Sequence, residues 1–234
     1  MSYTGITING TDTLAEWGLI LLDDLKIDEA KLKAAFVDVP GADGVLNLSY
    51  GMTGGNPVYE QRTISFTLFA SGMRRNGSAL THGAPPDETE VNIIRTQLQG
   101  RYHGREVNVF LPDDPTHYFR GVLAVGEKSK FNSGRIPITL TAFPYRLKAA
   151  ETTVNVTIPT GGSTTVTLAN EQRRVVPTIT ASAETTIRKG DAIWTIEAGT
   201  TQISGLYLDA GNTELTVSGT SNATVTFKYQ EGRL

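Results

Sequence analysis

Two turn signals stand back to back between two apolar runs in Phe36-Val37-Asp38-Val39-Pro40-Gly41-Ala42-Asp43-Gly44-Val45-Leu46-Asn47-Leu48. Pro40 and Gly41 suit the two central positions of a type II turn, because proline fixes φ near its required value and glycine takes the positive φ that other residues resist. Asp43-Gly44 is a second signal, of the type found in tight hairpins. A chain that reverses within five residues between apolar runs is committed to antiparallel pairing there. If Gly41 holds positive φ, Gly41→Val is expected to destabilise the N-terminal domain by on the order of 1 to 2 kcal/mol or more.

The composition is that of a folded, disulfide-free protein. Charged residues make up 19% and hydrophobic ones 39% of 234 residues, enough for one large or two ordinary cores and too apolar for a disordered chain. Cysteine is absent, which removes disulfides and thiolate zinc sites together and fits a reducing cytoplasm. The net charge of −3 is spread evenly, with 14 basic and 16 acidic residues in 1–147 and 7 and 8 in 148–234. Neither half has the basic excess that sequence-independent phosphate binding needs. The longest apolar run, Trp17 to Leu22, is far short of the roughly 20 residues that span a bilayer, and the N-terminus lacks signal-peptide features, so no membrane insertion is expected.

The chain divides near residue 147. Threonine rises from 13 in 147 residues to 19 in the remaining 87, alongside valine and isoleucine, a mixture that favours pleated surfaces. Strands are expected over Thr152–Ile158, Ser163–Leu168, Val176–Ala181, Thr185–Lys189, Ala192–Ala198, Gln202–Leu208, Glu214–Val217 and Ala223–Tyr229. Their short, even spacing predicts a β-sandwich or jelly roll for 148–234.

Residues 1–147 are also mainly strand. Ile64, Phe66 and Leu68 share one face of Thr63–Phe69, and Ile136, Ile138 and Leu140 share one face of Arg135–Ala142. Pro137 removes a ladder donor, which predicts an edge strand or an amide position facing solvent. One helix is predicted over Asp87–Gln99, with Val91, Ile94 and Leu98 on one face and Gly100 as its stop. Glu106–Phe110, the turn Leu111-Pro112-Asp113-Asp114-Pro115, and a strand over Tyr118–Val125 follow.

The Val39-Pro40-Gly41-x-Asp43-Gly44 turn and the strand headed by Arg62 resemble the N-terminal domain of phage distal tail proteins. The same is true of the passage from Leu98-Gln99-Gly100-Arg101 into strand, acidic turn and aromatic strand, and of Phe143-Pro144-Tyr145-Arg146. Pro177-Thr178-Ile179, Leu206 to Asn212 and Ala223 to Tyr229 are similar to the galectin-like sandwich that follows that domain in many members. The resemblance implies a mainly β chain, with an N-terminal β-barrel or sandwich ring domain over 1–147 carrying one short helix, then a galectin-like β-sandwich (jelly roll) over 148–234. It implies a structural virion protein and not an enzyme: a baseplate hub adaptor at the phage tail tip, assembled in the bacterial host cytoplasm. Its expected partners are itself, as a hexameric ring able to stack with a second ring, the tail tube protein, the tail-tip or tail-associated hub protein, and a receptor-binding protein. DNA would pass through the ring without specific binding. In that family an arm from the ring domain embraces the neighbouring subunit. Residues 71–86 form a long stretch without a core pattern and are the expected arm, with Met73, Arg74 and Arg75 as its contacts.

No catalytic, cofactor or metal residues are expected. Asp113 and Asp114, between two prolines, are read as shaping and solvating a turn, and Asp38 and Asp43 as a polar face and a turn stabiliser. His82, His103 and His117 lack metal-ligand spacing and are expected in surface or hydrogen-bonded structural roles. Lys128, Lys130, Phe131 and Arg135 are read as a solvated loop, and Trp17 as core or subunit interface. There is no nucleophile elbow, phosphate-binding loop or dinucleotide fingerprint. Two rival readings remain, another tube or baseplate ring component and a carbohydrate-binding or glycan-active virion protein. For the second, Asn170, Arg173, Arg174, Trp194 and Glu197 offer some sugar-binding residue types, but all histidines precede residue 148. Galactoside binding is therefore not expected, and Trp194 is assigned to the core.

Overall fold

The computed structural model describes residues 4–41, 43–51, 53, 55–76, 79–127 and 134–234. The chain is mainly β and separates into two units, Met1–Arg146 and Leu147–Leu234. In chain order the first unit runs β1 (Thr7–Ile8), β2 (Thr11–Asp12), α1 (Thr13–Trp17), β3 (Leu19–Leu21), β4 (Lys26–Ile27), β5 (Phe36–Asp38), β6 (Val45–Asn47), β7 (Arg62–Ala70), β8 (Met73–Asn76), β9 (Ala79–His82), α2 (Glu88–Tyr102), β10 (Arg105–Leu111), β11 (Asp114–Val125) and β12 (Arg135–Ala142), with β13 (Arg146–Lys148) at the junction.

Alternation of apolar and polar residues drives the main sheet, whose strand order is β2-β1-β10-β11-β12-β7-β3, with β4 also on β7. The register sets Ile138 opposite Phe66, Leu140 opposite Ile64 and Ile136 opposite Leu68, so both apolar faces point the same way and are buried together. Helix α2 closes this core with Val91, Ile94, Leu98 and Tyr102. Its start is a capping box: the Asp87 carboxylate accepts the Glu90 N–H at 2.8 Å, and the Glu90 carboxylate accepts the Asp87 N–H at 3.2 Å.

Three expectations are corrected in this unit. The helix runs through Gly100 to Tyr102 instead of stopping at Gln99. Tyr102 continues the series one turn beyond Leu98 and buries its ring edge-on to Trp17, 6.2 Å between centroids, which outweighs the roughly 1 kcal/mol that a helical glycine costs. The strand holding Pro137 is not at an edge, since β12 pairs with β11 and β7. The Pro137 carbonyl accepts the Gly126 N–H at 2.8 Å, so the missing donor falls on the last rung beside β11, where that strand is ending. A second helix, α1, was not foreseen. Asp12 caps it by accepting the Leu14 and Ala15 N–H groups at 2.8 and 3.4 Å, and Gly18 ends it at φ 67°.

The second unit comprises β14 (Thr152–Thr157), β15 (Ser163–Asn170), β16 (Thr178–Ala181), β17 (Thr185–Lys189), β18 (Ala192–Ile196), β19 (Gly199–Gln202), β20 (Gly211–Gly219), β21 (Thr224–Tyr229) and β22 (Gly232–Arg233). Two four-stranded sheets, β14-β21-β16-β19 and β15-β20-β17-β18, form a sandwich. Its core takes Ile179, Val225 and Phe227 from one sheet and Leu168, Ile187, Leu215 and Val217 from the other. The strand expected over Gln202–Leu208 is instead β19 followed by an irregular segment. Ile203, Leu206 and Leu208 are all buried, but Leu206 N–H donates to the Ile203 carbonyl and Gly205 takes φ 95°, a turn that no period-two strand contains.

Candidate subunit interface

Most large apolar residues of the first unit go to its core, and the densest group of exposed ones lies on one hairpin. Among the described strands, β5 and β6 pair only with each other, with Phe36 opposite Asn47, Val37 opposite Leu46 and Asp38 opposite Val45. Successive side chains alternate faces, so Val37, Val39, Leu46 and Leu48 share one side of the ribbon, while Phe36 and Val45 share the other with Asp38 and Asn47. Both sides lie in solvent: Phe36 and Val45 are each 58% exposed and Leu46 53%. An isolated two-stranded hairpin is marginal in water, and clustered exposed apolar residues mark an interaction surface. Gly41 and Gly44 turn the ribbon at φ 85° and 76°, and Pro40 precedes them. Asp38 and Asp43 are exposed.

Residues 71–86, read from the sequence as a loop, contain a second hairpin. Met73 pairs with His82, Arg74 with Thr81, Arg75 with Leu80 and Asn76 with Ala79. The side chains of Arg74, Arg75 and His82 lie outside the described residues. The root of this hairpin is pinched: Gly83 N–H donates to the Gly72 carbonyl at 2.9 Å, and a Cβ on Gly72 would stand 2.4 Å from the Ala84 carbonyl oxygen. Only glycine permits that approach.

Beside the root lies an open cleft of about 690 Å³. Trp17 at the end of α1, Ala84 and Pro86 after the hairpin, and Ile93 and Ile94 on α2 give it apolar walls; Glu16, Glu90 and Gln97 give it a polar rim. Trp17 is core on one side, and its Nε1 donates to Gln97 Oε1 at 2.9 Å. Ile93 is 53% exposed. Sequence reasoning passed over Ile93, although a signal existed: it adjoins Ile94 and is out of step with the core series Val91, Ile94, Leu98.

The remaining candidate residues are occupied structurally. Asp114 was expected in a solvated turn but is buried; its carboxylate stands 3.1 Å from His117 Nδ1, accepts the Thr116 hydroxyl at 2.7 Å and lies 3.7 Å from Arg146 Nη1. Asp113, which is exposed, holds Arg146 at 3.0 Å. The correction follows from register, because Asp114 pairs with Leu111 as the first rung of β11. Arg62 and Arg146 lie over the Phe119 ring at 4.7 and 4.8 Å. Burial, and then the charge of Arg146, push the Arg62 guanidinium down to about 10. His103 Nδ1 accepts the Val125 N–H at 3.0 Å. Lys128, Lys130 and Phe131 lie outside the described residues. Among the described residues, no group of three or more His, Asp or Glu side chains could hold a metal ion, and no helix is long and apolar enough to cross a membrane.

In the second unit, Asn170 is buried and its amide donates to the Arg173, Leu208 and Asp209 carbonyls at 2.7, 3.1 and 3.2 Å. Arg174 lies 3.9 Å from the Tyr207 ring centroid and 3.0 Å from Asp209. Trp194 is half-buried and packs against the second core, and Glu197 is exposed.

No protein-family model matches the chain, and no curated protein sequence does. A solved structure is similar over nearly all of both chains: the Dit protein (gp 19.1) of phage SPP1, described as a paradigm of the hub adsorption apparatus in phages infecting Gram-positive bacteria. The TM-score is 0.60 with 14% identity, covering 98% of this chain and 99% of that one. The two proteins share a fold.

Proposed function

We propose that this chain is a phage distal tail protein, a structural adaptor whose subunits close into a ring between the tail tube and the tail-tip apparatus, with DNA leaving through the central channel. The observation that carries the reading is the β5–β6 hairpin. A subunit that works alone gains nothing from Phe36, Val37, Val45 and Leu46 in water, whereas an arm that lies on a neighbour needs them there. The shared fold with a phage hub protein over 98% of the chain supports the same reading. The arm role expected for residues 71–86 is thereby extended to two hairpins of the first unit, of which β5–β6 offers the apolar surface. The function is geometric, since unlike patches joined head to tail give a closed ring only if the rotation per subunit divides a full turn. Six subunits per ring is the number the family resemblance gives. The near-balanced charge suits a channel through which a polyanion must slide without sticking.

Electron microscopy and light scattering of the purified protein test this. Rings with a central hole and a mass of six or twelve subunits are expected. A protein that remains monomeric at high concentration, with no ring on grids, would remove the proposal.

A further inference from the structure

Strand β7 carries Ile64, Phe66 and Leu68 into the core, and Arg62 takes the same face two residues before Ile64. A guanidinium thus stands where the pattern calls for an apolar side chain, opposite Ala142 of β12 and only 8% exposed. A buried charge is costly unless a carboxylate or carbonyls receive it. Among the described residues no acceptor meets Arg62. Its Nε and Nη2 are covered from solvent and make no hydrogen bond, and its cation lies against the Phe119 ring, 4.7 Å from the centroid. Asp113 and Asp114 face Arg146 instead, at 3.0 and 3.7 Å, and Asp114 also stands 3.1 Å from His117. Arg146 lies over the same ring at 4.8 Å and sets a second positive charge beside the first. Its repulsion is part of what lowers Arg62.

We infer that Arg62, backed by Arg146, is the seat of a small oxyanion, a carboxylate or a phosphate. The two uncommitted nitrogens decide the ligand class. Nε and Nη2 form one edge of the guanidinium, where two N–H bonds run parallel and match two oxygens of a carboxylate or phosphate. Arg62 is 8% exposed and the Arg146 side chain 17%, so the pair reaches the surface at this end of the sheet. A turn about the bonds of the Arg62 side chain brings the covered edge to that opening, and the oxyanion then neutralises a charge for which the core has no acceptor. The same chemistry serves a free ion or an acidic side chain of an adjacent copy. The inference does not depend on the ring reading.

Thermal melts of the dilute full chain in phosphate or acetate, set against chloride at equal ionic strength, test this. The midpoint should rise saturably, by roughly 5 °C at 100 times Kd, and chloride should give no such rise. Arg62→Met removes the charge but keeps an unbranched side chain. It should lose the response and melt no lower than the unaltered protein in chloride, because an apolar group then fills an apolar position. Arg62→Lys keeps the charge and loses the fork, and should weaken binding about 10-fold or more, which carries the test should the methionine variant not fold. No rise in phosphate or acetate, an equal rise in chloride, or a rise that persists in Arg62→Met would overturn the inference. Repeating the melts at high protein concentration separates the two sources. A response kept on association assigns a free ion, and one seen only in dilute protein gives the seat to an acidic side chain of the neighbouring copy.

Discussion

At Gly41, φ is 85° and nothing lies within 4 Å of where a Cβ would stand, so a side chain there meets conformational strain and no crowding. Gly41→Val should cost about 1–2 kcal/mol, but the strain falls on a ribbon outside the core cluster. The effect is therefore expected to stay local: amide exchange should accelerate across residues 36–47 while the calorimetric midpoint barely moves. Ile138→Ala, which empties a site that is 1% exposed, should cost about 2–5 kcal/mol and lower the midpoint clearly. A fall in Gly41→Val of similar size would mean that the ribbon is coupled to the core. Glu231 makes a pH prediction. Burial pushes its carboxyl up, but the hydrogen bond from Lys148 Nζ at 2.5 Å, the bond from the Thr152 hydroxyl, the Lys148 charge and the Glu171 backbone N–H together hold it below the ordinary carboxylate value. A carboxyl lowered by folding stabilises fully above its unfolded value and loses that contribution as pH falls through the lowered one. Glu231→Gln should cost about 1 kcal/mol at neutral pH, discounted because Lys148 is partly exposed, and should flatten the acid limb of the stability curve. An unchanged acid limb in urea melts from pH 7 to 3 would argue against it. Neither the Lys148–Glu231 bond, between residues 83 apart, nor the Asp114–His117 contact could be read from the sequence. The first needs tertiary proximity; the second needs the register that buries Asp114.

Elements were legible where one periodicity decided them. The face of β12 that carries Ile136, Ile138 and Leu140 could be read because each faces the core and every intervening residue faces out. Where two signals competed, the sequence misled in an interpretable way. Gly100 is a helix stop by local propensity, yet Tyr102 has a buried position to reach, and packing prevailed over propensity. Ile203, Leu206 and Leu208 look like β residues, but spacings of three and two cannot lie on one face of a strand, and Gly205 bends the segment so that all three reach the core. Residues 71–86 carry no core pattern because β8 and β9 pair only with each other among the described strands. The hydrophobic alternation that reveals a half-buried strand has no reason to exist there. The β5–β6 ribbon is the reverse case: its turn chemistry was plain in the sequence, but nothing there told whether its apolar runs face a core or solvent. Only coordinates distinguish a strand that is apolar because it is buried from one that is apolar because it awaits a partner.

The two units hold separate cores, one around β7, β12 and α2, the other between the sheets of the sandwich. Both hairpins to which the ring proposal gives the arm role lie before residue 147. The division of labour that follows is directly testable. Residues 1–146 alone should form the same ring as the full chain, and residues 147–234 alone should fold as a monomer with its own cooperative melt. The isolated sandwich should also release no heat on titration with lactose. Asn170 spends its amide on three backbone carbonyls and Arg174 is engaged with Tyr207 and Asp209, so two of the residue types that could serve a sugar are held in the scaffold. A sugar hydroxyl buried without a replacement hydrogen bond costs about 1–3 kcal/mol, as much as a weak lectin gains in total. Specific lactose binding lost on Trp194→Ala would make the sandwich a lectin. Rings that required residues 147–234 would move the joint out of the first unit, and with it the role given to the β5–β6 hairpin.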